Sequence, residues 1–221
     1  MNIKDGINRR FITSESLAPV FTTEEREADG GAKLVLKGTP IVYGRETVLY
    51  EDETFKWTET IEAGASREAL LRAEQVLLWN HDSAKPLAAR KNNTLTARED
   101  SNGVHIEADV AASPWGDDAY RAIKAGLVDK MSFGFYIKDE GYTTERSVEN
   151  GKRIYKRTIK KFDRIVDFSP VTYPAYEDTD ISARDAAGLK AEIEAVEKAA
   201  REKLDAVNAE TEAVIARTKL K

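Results

Sequence analysis

The chain has 221 residues, enough for one ordinary domain with an appendage or for two small domains. It contains no cysteine, which excludes a disulfide scaffold, a thiol nucleophile and every cysteine-based metal site. Its two histidines weigh against a multi-histidine centre, so we expect no metal and no cofactor. The formal net charge of −5 argues against a generic nucleic-acid binder. No purely apolar run exceeds four residues and the first residues lack an apolar signal region, so we expect a cytosolic protein that is neither secreted nor membrane-bound.

The N-terminal region, residues 1–31, is predicted to be a flexible arm. Its stretch 22–31 is polar, acidic and ends in glycines, so it offers little apolar surface to offset the entropy lost on ordering. From Lys33 onwards apolar and polar residues alternate, and Gly38-Thr39-Pro40 is a typical turn signal. The segment 33–43 is therefore predicted to form a β-hairpin.

The middle of the chain, residues 32–181, is predicted to be the main domain. Strands are predicted from alternating or apolar segments at 76–81, 94–97, 104–110, 130–138, 153–160 and 162–171. Helices are predicted at 66–73, with Ser66 as the N-cap, and at 114–126, ended by Gly126. Many short strands with two helices indicate an α+β domain, either a sandwich or a mostly antiparallel β-barrel-like core with a few flanking helices.

Residues 182–221 are predicted to form a long, charged C-terminal helix. From residue 184 onwards there is no proline and no aromatic residue, and Ala, Glu and Lys dominate. Apolar positions recur at spacings of three and four, but charged residues interrupt the seam, so the segment is a weak coiled coil. The pattern leaves two interpretations open: a helix folded loosely on the domain, or a docking helix that binds a partner or a second copy.

The two histidines differ in their sequence surroundings. His81 closely follows the apolar run 76–79, and a histidine is a natural general base near neutral pH because its unperturbed pKa is about 6.5. A half-buried histidine that caps a strand fits the same pattern. His105 lies on the polar face of a strand whose other face carries Val104, Ile106 and Ala108, so we expect it to be solvated.

Ser132 is a candidate nucleophile carried by a strand. In the predicted strand, Met131, Phe133 and Phe135 share one face and would anchor it in the core, while Ser132 and Gly134 share the other face. The glycine leaves space for an approaching backbone. Any strand with a small outer face has the same pattern, so the strand alone does not decide the role of the serine.

Asp167 lies in an apolar strand segment, with Ile165 and Ser169 expected on its own face and its immediate neighbours facing inward. A carboxylate in such surroundings is costly unless it is paired or hydrogen-bonded. An imidazole N–H would be a suitable partner, and Arg164 across a ladder would serve equally well. Both interpretations stay open from the strand alone.

Five segments, taken together, resemble the tailed-bacteriophage prohead proteases, which are capsid-maturation serine proteases distantly related to herpesvirus assemblin. The segments are Gly38–Tyr43, Glu59–Ala65, Asn80–Asp82, Gly126–Phe135 and Ile165–Ala175. The resemblance rests on their order and spacing and runs from about residue 36 to about residue 181. It implies a herpesvirus-protease-like fold for this part of the chain.

The resemblance also implies roles and substrates. Ser132 matches the nucleophile, His81 the catalytic histidine, and Asp167 the acidic third member, a place where the family more often carries Glu. The implied activity is that of a serine endopeptidase that cleaves the scaffold protein or a scaffold-like extension of the major capsid protein, and often itself. The cleavage takes place inside the prohead, in the cytoplasm of the infected bacterial host. We expect these capsid proteins, and other copies of the chain, to be its partners.

Two other functions stay open at this point. The same fold and tail could belong to a catalytically inert capsid-assembly protein that binds scaffold or capsid subunits. A basic stretch could contact nucleic acid, although basic residues on an edge strand are a common defence against aggregation, which makes nucleic acid the weaker expectation. The basic residues in question are Lys152, Arg153, Lys156, Arg157, Lys160, Lys161 and Arg164.

Overall fold

A computed structural model describes residues 8–12, 21–28, 31–72 and 74–172, together with five residues between 191 and 202. The chain divides into a large unit, residues 2–179, and a small C-terminal unit that begins at residue 180. In the small unit the described residues are helical; they are Ala191, Ala195, Lys198, Arg201 and Glu202. The rest of the predicted C-terminal helix lies outside the described residues.

The large unit is built mainly from strands. In chain order these are β1 (Asn8–Ile12), β2 (Phe21–Ala28), β3 (Gly31–Val42), β4 (Thr47–Glu51), β5 (Phe55–Ile61), β6 (Val76–Trp79), β7 (Asp82–Ala89), β8 (Leu95–Glu99), β9 (Gly103–Asp109), β10 (Lys130–Tyr136), β11 (Tyr142–Glu149), β12 (Lys152–Ile159) and β13 (Arg164–Val171). Two short α-helices, α1 (Arg67–Leu70) and α2 (Gly116–Lys124), and two 3-10 turns, Arg90–Asn92 and Asp139–Gly141, lie between them.

The described strands form three open sheets, with the orders β1-β10-β13-β6-β7, β2-β3-β9-β8 and β11-β12-β5-β4. Most pairings are antiparallel, and the parallel pairs are β5 with β12 and β6 with β13. The expected mostly β domain with few helices is confirmed. The barrel-like core is wrong, because the terminal strands of each sheet pair on one side only within the described residues. Alternation in a sequence indicates strands but not whether the two ends of a sheet meet.

The core behind the first sheet is aromatic. The rings of Phe133 and Phe135, both on β10, are stacked with centroids 5.2 Å apart, and Phe162 packs edge-on against Phe135 at 4.8 Å. Ile165 and Phe168 of β13 are fully buried in the same cluster. Burial of each such side chain contributes roughly 1.5–3 kcal/mol, so the core faces of β10 and β13 are firmly anchored.

The predicted N-terminal arm contains two strands. β1 pairs antiparallel with β10, and β2 pairs antiparallel with β3. Ion pairs add to the backbone pairing of β2: Lys37 Nζ lies 2.6 Å from Glu24 Oε1, and Lys124 Nζ lies 2.8 Å from Glu25 Oε1. A polar composition is compatible with a strand at the end of a sheet, because the backbone supplies the pairing and charged side chains protect the open edge.

The hairpin predicted over 33–43 is wrong, because β3 continues through the turn signal. The register between β3 and β9 shifts by one residue between Gly38 and Ile41, which is a β-bulge. Pro40 fits at such a place because it has no N–H to donate to a ladder. The Gly-Thr-Pro signal therefore marks a bulge within a strand.

The two predicted helices are present but shorter than expected. α2 is amphipathic, with Ala119, Tyr120 and Ile123 buried, and it ends before Gly126, whose φ of +72° is a left-handed conformation that suits glycine. α1 is a single turn, and Ser66 makes no side-chain capping hydrogen bond there.

Candidate active site

His81 lies in a two-residue turn between β6 and β7. Trp79 and Asp82 are paired across this hairpin, so Asn80 and His81 form the whole loop. Their φ angles are +51° and +58°, the left-handed values of a tight hairpin turn, in which glycine usually occupies the second position. A histidine in this conformation is strained, and such strain is typical of functional positions. The sequence-based interpretation placed His81 at the end of a strand, whereas it belongs to the turn.

The turn is tied to the end of β13 by two hydrogen bonds of Asn80. Its backbone N–H donates to the Pro170 carbonyl at 3.1 Å, and its side-chain oxygen accepts the N–H of Thr172 at 3.0 Å. The parallel pairing of β6 with β13 brings these segments together although they are far apart in sequence. The histidine is therefore held beside β13 by the backbone and the side chain of its neighbour Asn80.

Ser132 occupies the middle of β10 and is completely buried. It lies opposite Ser169 on β13 and opposite Phe11 on β1. Met131 and Phe133, its neighbours along the strand, point into the core, so the predicted division of faces is confirmed. Ser132 lies on the other face of the sheet, which also carries the candidate acid.

Asp167 lies on that face by regular alternation with Ser169, and a β-bulge follows directly beyond it. Gly134 pairs with Asp167, but the next residue, Phe135, pairs with Ile165, so β13 carries one extra residue at this point. The bulge turns Ile165 into the core, contrary to the expectation that it shares a face with Asp167. Asp167 is 5% exposed, and its partner across the ladder is Gly134, which has no side chain.

His81 bridges the serine and the aspartate. Its Nδ1 atom lies 2.5 Å from Asp167 Oδ1, and its Nε2 atom lies 2.5 Å from Ser132 Oγ. A carboxylate can only accept, so Nδ1–H donates to Asp167, and the Nε2 lone pair is left facing the serine hydroxyl. This is the tautomer that a general base needs toward Ser132.

Ser169 completes the group and was not identified as functional from the sequence. Its hydroxyl donates to Asp167 Oδ1 at 2.8 Å and lies 3.2 Å from His81 Nδ1, and the residue is fully buried. The signal that could have revealed it is its position two residues after Asp167 on the same face of the strand. From that position the Ser169 hydroxyl can orient the Asp167 carboxylate, which in turn orients His81.

The other sequence candidates lie elsewhere. His105 is on β9, exposed as expected, and bonds to Thr39 and Asp100. Residues 173–176 follow Asp167 closely along the chain and are therefore candidates to supply the N–H groups of an oxyanion hole, but they lie outside the described residues. Within the described part of the chain, no cluster of His, Asp or Glu side chains is arranged to hold a metal ion, and no helix is long and apolar enough to cross a membrane.

The sequence suggested that the basic stretch 152–164 lies on an edge strand, and this is wrong. β12 is flanked by β11 and β5. Arg157 is 4% exposed and forms an ion pair with the equally buried Glu59, and Lys152 Nζ lies 2.8 Å from a carboxylate oxygen of Glu51. Carboxylates neutralise much of the basic charge that the nucleic-acid interpretation requires.

A buried Ser–His–Asp arrangement on a β-rich domain is typical of serine hydrolases. The model of the caudovirus prohead serine protease family matches residues 21–198, most of the chain, and the chain belongs to this family. The family predicted from the five segments is thereby confirmed, and the protein is a serine protease of the capsid-maturation kind.

The structure of the bacteriophage T4 capsid assembly protease, gp21, is similar with 12% sequence identity and a TM-score of 0.42, covering 75% of this chain and 97% of the T4 protein. A search of curated proteins finds no match.

Proposed function

We propose that the protein is a prohead maturation endopeptidase with the catalytic triad Ser132, His81 and Asp167. The observation that carries the proposal is that His81 lies within hydrogen-bonding distance of both partners, one through each ring nitrogen. These three residues come from β10, from the β6–β7 turn and from β13, and they meet on one buried face. A surface arrangement formed by chance would lack this burial.

The chemistry follows from the positions of the atoms. Ser132 Oγ attacks the carbonyl carbon of a peptide bond while its proton passes to His81 Nε2. The imidazolium then gives this proton to the departing amine, and water repeats the sequence to release the acyl group from the serine. Asp167 stabilises the imidazolium and holds the tautomer, and Ser169 is a positioning residue that holds Asp167.

Family membership supports the substrates that we propose. These are the scaffold protein or the scaffold-like region of the major capsid protein, cleaved inside the prohead in the infected bacterial host, and the protease itself. We assign the docking of the protease in the assembling shell, or to other copies of the chain, to residues 182–221. An inert capsid-assembly protein would bind the same subunits without cleaving them.

A serine-directed fluorophosphonate probe tests the proposal. The wild-type chain should be labelled on Ser132, and Ser132→Ala should not be labelled. Ser147→Ala is the matched control, because this serine lies on the exposed strand β11. Co-expression with the capsid and scaffold proteins should give cleaved products with the wild type and the control only. Equal cleavage by Ser132→Ala would refute the triad, and the absence of both labelling and cleavage would favour the inert assembly protein.

A further inference from the structure

The edge of the strand that carries Ser132 is occupied by a segment of the same chain. β1 pairs with β10 over five residues, from Asn8 opposite Phe135 to Ile12 opposite Met131. Phe11 lies directly opposite Ser132 in this register. On its other side β10 pairs with β13, so both edges of the nucleophile's strand are filled.

β1 lies outside the part of the chain that the family shares. The family model matches from residue 21, whereas β1 ends at Ile12. Without β1, the sheet β10-β13-β6-β7 keeps every described residue of the site and gains an open edge beside Ser132. The strand is thus an addition next to the site, whose residues Ser132, His81, Asp167 and Ser169 belong to other parts of the chain.

An open edge at this place is what an extended peptide requires. Peptides that add to a sheet are held by main-chain hydrogen bonds, and these do not depend on the peptide's sequence. The reacting carbonyl must come to about 3 Å from the serine oxygen. A peptide that pairs with β10 beside Ser132 would take the position that β1 now holds.

We infer that β1 is a resident strand in the peptide-binding edge of β10, and that an extended segment of the substrate protein replaces it. The inference rests on the proposed function of Ser132 for its catalytic consequence. Among the described residues, β1 pairs over five residues with one strand only. This is a weak attachment, because the net gain from each backbone hydrogen bond is similar in size to the entropy cost of ordering a residue. A longer or better-fitting peptide can therefore displace it.

Paired proline and alanine substitutions in the full chain test this inference. In an antiparallel ladder, alternate residues direct their N–H groups to the neighbouring strand, so the double variant R9P/R10P must remove at least one hydrogen bond to β10. R9A/R10A is the matched control, because it removes the same two side chains and keeps both N–H groups. Hydrolysis of a quenched fluorescent peptide library should be at least tenfold faster with R9P/R10P than with R9A/R10A.

A second measurement separates the edge from the catalytic chemistry. In the Ser132→Ala background, a fluorescent peptide with the sequence of residues 5–15 should bind R9P/R10P at least tenfold more tightly than R9A/R10A. This binding needs no catalysis, so it decides the role of β1 even if fluorophosphonate fails to label Ser132 and the proposed function is wrong.

Three results would overturn the inference. One is equal peptide binding by the proline and alanine variants. Another is equal library hydrolysis, including no hydrolysis by either, in protein that fluorophosphonate labels on Ser132. The third is loss of cooperative thermal unfolding in R9P/R10P but not in R9A/R10A, since β1 would then be a structural strand of the sheet.

Discussion

The two histidines of this chain make similar contacts in opposite surroundings. His105 lies on β9 between a hydroxyl and a carboxylate: its Nδ1 is 3.0 Å from Thr39 Oγ1, and its Nε2 is 3.0 Å from Asp100 Oδ2. His81 also lies between a hydroxyl and a carboxylate, in the site described above. The side chain of His105 is 45% exposed, however, and that of His81 is 9% exposed.

The difference shows that a hydroxyl, an imidazole and a carboxylate in contact do not by themselves make an active site. Around His105, water competes for every hydrogen bond and screens the charge of the carboxylate. Around His81, burial strengthens the same interactions, and the strained turn and its Asn80 anchors fix the direction of the ring. Preorganisation, rather than the set of side chains, distinguishes the two places.

The largest expected effect comes from removing the two groups to which we assign the proton transfer. His81→Ala and Ser132→Ala should each lower kcat by about 10⁶-fold, as in well-studied Ser–His–Asp enzymes. His105→Ala is the matched control and should stay within twofold of the wild type. Cleavage of the capsid or scaffold substrate by the purified variants measures the effect. A comparable loss with His105→Ala would show that burial does not distinguish the two histidines.

Replacing the buried carboxylate should have the next largest effect. Asp167→Asn should lower kcat by about 10⁴-fold, because an amide can donate to Nδ1 and so favour the wrong tautomer. Asp100→Asn makes the same chemical change beside the exposed histidine and should leave kcat unchanged. Steady-state kinetics of the two variants on one substrate compares them directly. Full activity of Asp167→Asn would remove this residue from the triad.

A second buried pair separates burial from catalysis. Arg157 and Glu59 are both nearly inaccessible, and the guanidinium lies 5.2 Å from the ring centroid of Trp57. Arg157→Met should lower the free energy of unfolding by about 3–5 kcal/mol, because it removes the guanidinium that neutralises the buried Glu59 carboxylate. Below the unfolding transition, labelling of Ser132 should not change, because the pair lies on another sheet.

Urea unfolding followed by circular dichroism measures this stability. The double variant Glu59→Leu/Arg157→Met, which removes both charges, should recover most of the loss. If the single and double variants are equally destabilised, lost packing rather than the lost neutralisation of Glu59 explains the effect.

Much of the site strand could be predicted from its sequence, because alternation is a local property. Met131, Phe133 and Phe135 identify the core face of β10, and Ser132 then follows onto the other face. The contacts of His81 could not be predicted in this way. They join residues 51 and 86 positions apart, and they depend on the parallel pairing of β6 with β13. For these residues the expected roles came from the family resemblance, because periodicity carries no information about contacts between distant segments.

Several of the features that sequence patterns missed are irregular or polar, although the largely buried strand β5 was missed as well. The bulge in β13 reverses Ile165, and no alternation can show an extra residue in one strand. The strand β11 was not predicted because its side chains are exposed on both faces beyond Tyr142, so it has no apolar periodicity. β1 and β2 were assigned to an arm because residues 22–31 are polar and acidic. These strands are held by backbone pairing, which cannot be predicted from amino-acid composition.

Ser169 should have a smaller effect than the triad residues. Ser169→Ala removes one hydrogen bond to a charged carboxylate, worth about 1.5–3 kcal/mol, so kcat should fall roughly 10- to 100-fold. KM should not change, because the hydroxyl faces Asp167 and His81 rather than the substrate. Ser169→Thr keeps the hydroxyl and should recover most of kcat. A change in KM alone, or no recovery with threonine, would indicate a packing role instead.

The smallest expected effect concerns the exposed pair and its dependence on pH. The backbone N–H of Asn102 and then the side chain of His105 hold the pKa of Asp100 below its usual range. A depressed carboxyl pKa stabilises the fold above the unfolded-state value of about 3.9, and this contribution is lost as the pH falls through that region. Asp100→Asn keeps an oxygen that can accept the N–H groups of Asn102 and Gly103 and removes only the charge. Its midpoint of thermal unfolding should lie slightly below that of the wild type at pH 7, and the difference should narrow as the pH is lowered from 4 to 2. A difference that does not narrow over this range would mean that the amide disturbs the turn between β8 and β9, so that the charge is not the cause.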